Sequence, residues 1–300
     1  MTNLASENIG SPLRYGYATV VPVICASIGY YKKSLDFSGY LAALVIGFLL
    51  AISNYCFSTS LIVFFFTASS VTKFRSHKKR QLEENFKEGG QRNWVQVLCN
   101  GVVAAAIALI YIIDIGLKET PVNFISSYNA SWLSMSVLGA LACSCGDTFA
   151  SELGPVLCCG EPRLITNFRK VIKGTNGGVS LAGLLASVLG GLIVGVTYYL
   201  TLLFSLNQRL LYKSPPQWPI VLQGIWGGLV GSLIDSFLGA TVQFSGYDTE
   251  RRVIVEQPGP FVKHISGRPW LSNHSVNLVS GFVTAMLSPS VAYYIWPFFS

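Results

Sequence analysis

The chain is built from long apolar runs broken by short polar ones. Tyr15–Tyr31, Phe37–Thr72, Trp94–Ile113, Ser131–Gly146, Val179–Phe204 and Ser275–Pro297 hold no charged residue, and Ile220–Gln243 holds one, Asp235. A hydrocarbon core about 30 Å thick takes roughly 17–25 apolar helical residues, so each run predicts a membrane span. Phe37–Thr72 is too long for one span at about 1.5 Å per residue, and it divides near Asn54-Tyr55 into two short helices. Ser131–Gly146 is short and is expected to end at Asp147. The pattern predicts an all-α, polytopic transmembrane bundle of about eight helices. Residues 1–300 form a single integral membrane domain, with loops 73–93, 155–178 and 245–272 on one side.

Charge orients the bundle. With eight spans, alternate loops place 17 Lys and Arg on one side and four (Arg14, Lys118, Arg209 and Lys213) on the other. Basic residues concentrate on the cytosolic side of membrane proteins. The first side is therefore expected to be cytosolic and both termini lumenal or extracellular, in an endomembrane such as the endoplasmic reticulum. Fusing the second and third spans gives 16 against 5, so length rather than charge decides the split.

Composition agrees with this picture. The 300 residues are 51% hydrophobic and 12% charged, against about 25% charged in soluble domains; mean hydropathy is +0.49. The net charge of +7 lies in loops between spans, so the expected partner is the lipid bilayer and not nucleic acid. Oligomeric state is left open. The first run follows an uncharged-to-acidic leader and is expected to be a retained span. The seven cysteines form no CxxC or zinc pattern and read as small apolar filler. Trp94, Trp132, Trp218, Trp270 and Trp296 sit near helix ends, as interfacial aromatics do. The many glycines of the later spans suit close helix approach.

Polar groups at membrane depth are costly and mark cavities or partners. Asp147 and Asp235 are both expected toward the cytosolic face, each beside a hydroxyl, in the similar segments Gly146-Asp-Thr-Phe149 and Ile234-Asp-Ser-Phe237. Two such carboxylates suit Mg²⁺, which takes one or two carboxylates plus phosphates and water. Glu152 stands nearby as a supporting group or a base. Lys173, Gly174, Thr175, Asn176, Gly177, Gly178 and Ser180 form a Gly-rich turn that opens the next helix, where free N–H groups attract phosphate. Gln96 and Asn100 share one helix face, as do Asn273, Asn277 and Ser280 on another, and Gln243 ends the seventh span. Asn100, Asn277 and Gln243 are the candidates to orient a substrate head. Asp114 reads as structural, and His77, His264 and His274 receive no role. Asn129-Ala-Ser131 is a sequon close to the opposite face.

Four stretches carry a resemblance: Arg92-Asn-Trp-Val-Gln-Val-Leu-Cys-Asn100, Gly146-Asp-Thr-Phe-Ala-Ser-Glu-Leu-Gly154, Gly174-Thr-Asn-Gly-Gly-Val-Ser180 and Asp235-Ser-Phe-Leu-Gly-Ala-Thr-Val-Gln243. Together they resemble the transmembrane protein 19 family, over nearly the whole chain. That family includes plant and cyanobacterial members similar to phytyl-phosphate kinase. More distantly, the Gly-Asp motif followed by a basic loop and a Gly/Ser helix start is similar to dolichol kinase, phytol kinase and phosphatidate cytidylyltransferase. There the motif is expected to hold a metal and nucleotide phosphates. Those enzymes usually carry a Lys-Ser pair where this chain has Asn176-Gly-Gly-Val-Ser180, which leaves Lys173 to supply the charge. The resemblance implies phosphate transfer from CTP or another nucleotide to an isoprenoid monophosphate. Asp147 and Asp235 would hold Mg²⁺, and the Gly-rich helices would leave room for the prenyl tail. The alternative is a non-enzymatic transporter or scaffold, and a transporter would place polar groups toward both faces.

Overall fold

A computed structural model describes residues 11–74, 90–158 and 160–299. The basic run Arg75–Arg80 with His77, and Cys159 of the vicinal cysteine pair, lie outside the described residues. Eight long apolar helices make up the bundle: α1 (Pro12–Tyr31), α2 (Phe37–Ser53), α3 (Tyr55–Lys73), α4 (Trp94–Asp114), α5 (Tyr128–Leu157), α6 (Leu181–Ser205), α8 (Pro219–Val242) and α9 (Asn273–Ile295). A single turn and a half, α7 (Gln208–Tyr212), lies between α6 and α8. Six of the long helices, α3, α4, α5, α6, α8 and α9, are long and apolar enough to cross a bilayer, while α2 is a shorter apolar helix of 17 residues.

The division of the long second run falls at Asn54. This residue is extended (φ −158°, ψ 133°), ends α2 and caps α3, its side chain accepting from the Cys56 N–H at 2.8 Å. The chain reverses there, because Lys73 at the end of α3 donates to the Lys32 carbonyl just beyond α1 at 2.7 Å. A one-residue reversal leaves helix-end groups exposed to a membrane, and two side chains from elsewhere satisfy them. Buried Arg14 donates to the carbonyls of Ile52 (3.4 Å) and Ser53 (3.2 Å) at the end of α2. Glu119 accepts from the Tyr55 N–H at the start of α3 (2.8 Å). The two pair with each other at 2.7 and 2.9 Å.

α5 is the axis of the bundle. In its apolar window 78% of residues are buried, against 33–44% in the other five crossing helices. It packs against α3, α4, α6, α8 and α9. Helices alternate in direction, so the starts of α1, α3, α5 and α8 share one end. The starts of α2, α4, α6 and α9 share the other, which we call the basic end.

The sequence pattern predicts a span stopping near Gly146, but α5 runs unbroken for 30 residues, through Asp147 and Glu152 and past Pro155. Its polar residues line a cavity instead of ending the helix. The loops at the basic end also hold structure not foreseen from the chain pattern. β1 (Arg163–Leu164) pairs antiparallel with β2 (Gly178–Val179). β3 (Ser245–Asp248), β4 (Val253–Val255) and β5 (Val262–Ser266) form a three-stranded antiparallel sheet in the order β4-β3-β5. Strands of three to five residues are too short to show alternation in the sequence.

Candidate functional site

Three glycine-bearing helices meet beside Asp147. A Cβ on Gly146 of α5 would lie 2.5 Å from the Gly228 carbonyl oxygen and 2.6 Å from its Cα on α8. One on Gly190 of α6 would lie 2.9 Å from Gly146 Cα, and one on Gly228 would lie 2.7 Å from Gly191 Cα. The expectation that these glycines serve close approach therefore holds. The expectation that they leave room for a lipid tail does not: backbone, not open space, occupies the volume beside them.

This contact sets Asp147 of α5 against Asp235 of α8. The two carboxylates are near enough for their charges to interact. Ser232 donates to Asp147 Oδ1 at 3.5 Å, and Ser280 of α9 donates to Asp235 Oδ2 at 2.9 Å. Asn277, one turn before Ser280, donates to Asn100 Oδ1 of α4 at 3.5 Å, while its own Oδ1 is buried without a partner. Ser144 donates to the Asn100 carbonyl at 3.1 Å and ties α4 to α5.

Asp147, Asp235, Ser232, Asn100 and Asn277 line one polar cleft at the basic end, in which the centre of a water molecule can occupy about 670 Å³. Asp147, Glu152, Asp235, Asn100, Asn277, Gln243, Lys173, Gly174, Thr175, Asn176, Gly177, Gly178 and Ser180 all border it. Residues from distant parts of the chain are thus gathered at one place, as the charge pattern expects.

The Gly-rich turn is more built-in than a free phosphate cradle. Gly174 (φ +91°) and Gly177 (φ +76°) take the left-handed region open to glycine. A Cβ on Gly177 would lie 2.6 Å from the Ser236 carbonyl, one residue after Asp235. The amides of Thr175, Asn176 and Gly178 donate to Ile172 O (3.1 Å), Ser245 Oγ (3.0 Å) and Thr175 O (3.0 Å). Ser180 caps α6, accepting from Gly183 N at 3.1 Å. Gln243 donates to Glu256 at 3.1 Å, tying α8 to β4's flank, and Lys173 donates to the Cys158 carbonyl at the end of α5 at 2.7 Å.

Cationic groups border the cleft too. Arg92, half-buried just ahead of α4, donates to Ser69 Oγ of α3 at 2.8 Å, and its backbone bridges Ser34 and Asp36 at 3.0 Å each. Burial pulls its guanidinium below the ordinary value, and the Glu152 carboxylate opposes that. Lys73 also borders the cleft.

The profile of the family described as integral membrane protein DUF92 matches residues 20–285. The chain belongs to this family. It is the transmembrane protein 19 family that the four motifs resemble. The chain is similar to Protein PGR of Arabidopsis thaliana, at 42% identity over 93% of this chain and 96% of that one. It is also similar to an uncharacterized membrane protein of Methanocaldococcus jannaschii, at 31% identity over 75% of this chain and 82% of the other. A further uncharacterized membrane protein, from Synechocystis, is 24% identical over 95% of this chain and 83% of its own length. No solved structure matches.

Several residues of this family member's cleft carry no role in the sequence reading. Arg92 and Lys73 are among them, with Ser232, Ser272, His274 and Glu256. Arg92 has a signal in the sequence, since it opens one of the family-like motifs. His274 borders the cleft at the start of α9, while His264 instead meets the Gly267 carbonyl (2.9 Å) in the sheet. Asp114 accepts from the Asn129 amide of the sequon at 2.8 Å, in keeping with a structural role.

Among the described residues no three His, Cys, Asp or Glu side chains gather as a metal cluster. A Mg²⁺ ion does not need three, since it takes one or two carboxylates and keeps water or substrate oxygens. The donors bordering the cleft are all oxygens: two carboxylates, the Ser232 hydroxyl and the orphaned amide oxygen of Asn277. That set fits a hard cation and would not favour a soft one.

Proposed function

We propose that this protein is an integral membrane phosphotransferase. It would move a phosphoryl group from CTP or another nucleotide to an isoprenoid monophosphate at the cytosolic membrane face. The observation that carries the reading is one polar cleft that brings the carboxylates Asp147 and Asp235 together with the cations Lys73, Arg92 and Lys173 at the basic end of a membrane bundle.

In the reaction, an oxygen of the acceptor monophosphate attacks the γ-phosphorus, and the bond to the β–γ bridging oxygen breaks. The products are the nucleoside diphosphate and the lipid diphosphate. Such transfer is chiefly positioning and charge neutralisation. Asp147, Asp235 and the Asn277 oxygen would hold Mg²⁺, which when bound neutralises phosphate charge. Arg92, Lys73 and Lys173 supply fixed positive charge around the two phosphate groups. The Gly174–Ser180 turn, docked on α8, shapes the wall next to Asp235. No base is needed, because a monophosphate ester already carries about −1.5 to −2 charge at neutral pH. Glu152 therefore serves to place Arg92 rather than to take a proton.

The test is purified protein with CTP, Mg²⁺ and a prenyl monophosphate, analysed for lipid diphosphate. Absence of product with any nucleoside triphosphate, from protein that unfolds cooperatively, sinks the reading. A transporter requires polar groups serving both faces. The charged pair at the opposite end, Arg14 and Glu119, is buried and occupied with the ends of α2 and α3, which supports a one-sided site.

A further inference from the structure

The polar cleft does not stop at Arg92. Arg92, Gln96 and Asn100 border a second space as well, an apolar slot between α1, α2, α3 and α4. The slot is lined by residues such as Pro22, Ala43, Ile46, Leu61 and Phe65, and reaches Ala51 and Ser58 near the far end of the α2–α3 hairpin. It is narrow: the centre of a water molecule can occupy about 90 Å³ of it. Its walls are almost wholly apolar, and its three amide and guanidinium side chains are those it shares with the cleft.

We infer that this slot receives the single hydrocarbon tail of a lipid monophosphate whose head lies in the cleft. The inference deepens the reading above and rests on it for the identity of the head. The occupant follows from the junction. A molecule spanning both spaces must be anionic at one end and a slender hydrocarbon at the other. A slot this narrow takes one chain and excludes the paired acyl chains of phosphatidate. Its length sets the tail. Gly39 abuts Arg92, and from Gly39 to Ala51 α2 rises about 18 Å at 1.5 Å per residue. An extended chain advances about 1.2 Å per bond, so the slot holds about 15 main-chain carbons.

The test is equilibrium binding, which needs no turnover, of the full chain in nanodiscs. The probes are prenyl monophosphates with main chains of 8, 12, 16 and 20 carbons, and dioleoyl phosphatidate. Wild type is expected to bind the 16-carbon probe at least about tenfold tighter than the 8-carbon one, with no further gain at 20. Ala51→Leu, at the deep end, moves the plateau to 12 carbons and leaves the 8-carbon affinity unchanged. Ala43→Phe, nearer the mouth, weakens the 12- and 16-carbon probes at least about tenfold. If either variant fails to fold, wild type still decides: the 16-carbon probe must slow alkylation of the slot-lining Cys25 by N-ethylmaleimide, followed peptide by peptide. Affinity indifferent to chain length, phosphatidate binding as tightly as the 16-carbon probe, or an unprotected Cys25 overturns the slot. Length-dependent binding without any diphosphate product overturns the kinase reading and leaves the slot standing.

Discussion

Gly146 and Gly228 touch backbone to backbone, and a single methyl group on Gly146 would stand 2.6 Å from the Gly228 Cα. The residue after Gly146 is Asp147, so this contact fixes the spacing of α5 and α8 and with it that of Asp147 and Asp235. Gly146→Ala is expected to destabilise the protein by about 1–3 kcal/mol through overpacking. It should also reduce Mg²⁺ affinity, because the helices must part. Thermal unfolding with and without Mg²⁺ checks both. An unchanged Mg²⁺-induced stabilisation would mean that the carboxylates do not act together.

Asp147→Asn and Asp235→Asn, each close in shape to the original, should each lower phosphotransfer by at least about a hundredfold if the two carboxylates are the metal's anchors. The Mg²⁺-dependent rise in Tm should shrink in parallel. Loss of activity with the Mg²⁺ response intact would assign them another role.

Arg14 and Glu119 are buried together, with side chains 7% and 9% exposed. Removing one partner strands the other charge, so Glu119→Gln or Arg14→Met is expected to cost about 3–5 kcal/mol. Denaturant unfolding of the purified variants measures it. Because this pair lies at the end away from the cleft, any folded fraction should keep wild-type nucleotide affinity.

Gly177 sits at φ +76° with α8 against it. Gly177→Ala should lift the turn off α8 and raise the nucleotide KM, with a stability loss of about 1–3 kcal/mol from backbone strain. A variant with unaltered KM would detach the turn from nucleotide binding.

Much of the scaffold was legible before any coordinates. The seven apolar runs, the break at Asn54 that makes them eight helices and the gathering of candidate residues at one end follow from span length and from where Lys and Arg fall. Other features were not legible, for identifiable reasons. A polar run usually leaves the membrane, so Asp147 has the look of a helix end; here Asp147, Thr148, Ser151 and Glu152 stay helical because a cleft receives them. The strands at 245–266 are too brief to announce a period. The pairing of Arg14 with Glu119 joins residues 105 apart in sequence, which no local pattern reports. A glycine-rich helix can signal either space or contact, and only the neighbouring backbone distinguishes the two.

The Asn54 reversal has a consequence for how the chain is made. α2 and α3 share a one-residue link, so they enter the membrane as a pair, yet the group that satisfies the start of α3 is Glu119. Until α4 and the segment after it have been synthesised, the Tyr55 amide waits for its partner, and Arg14 has the Ile52 and Ser53 carbonyls but no counter-charge. Assembly of the first half is therefore timed by the arrival of residue 119, and a ribosome-bound chain ending just before it should remain open to protease or to a holding insertase.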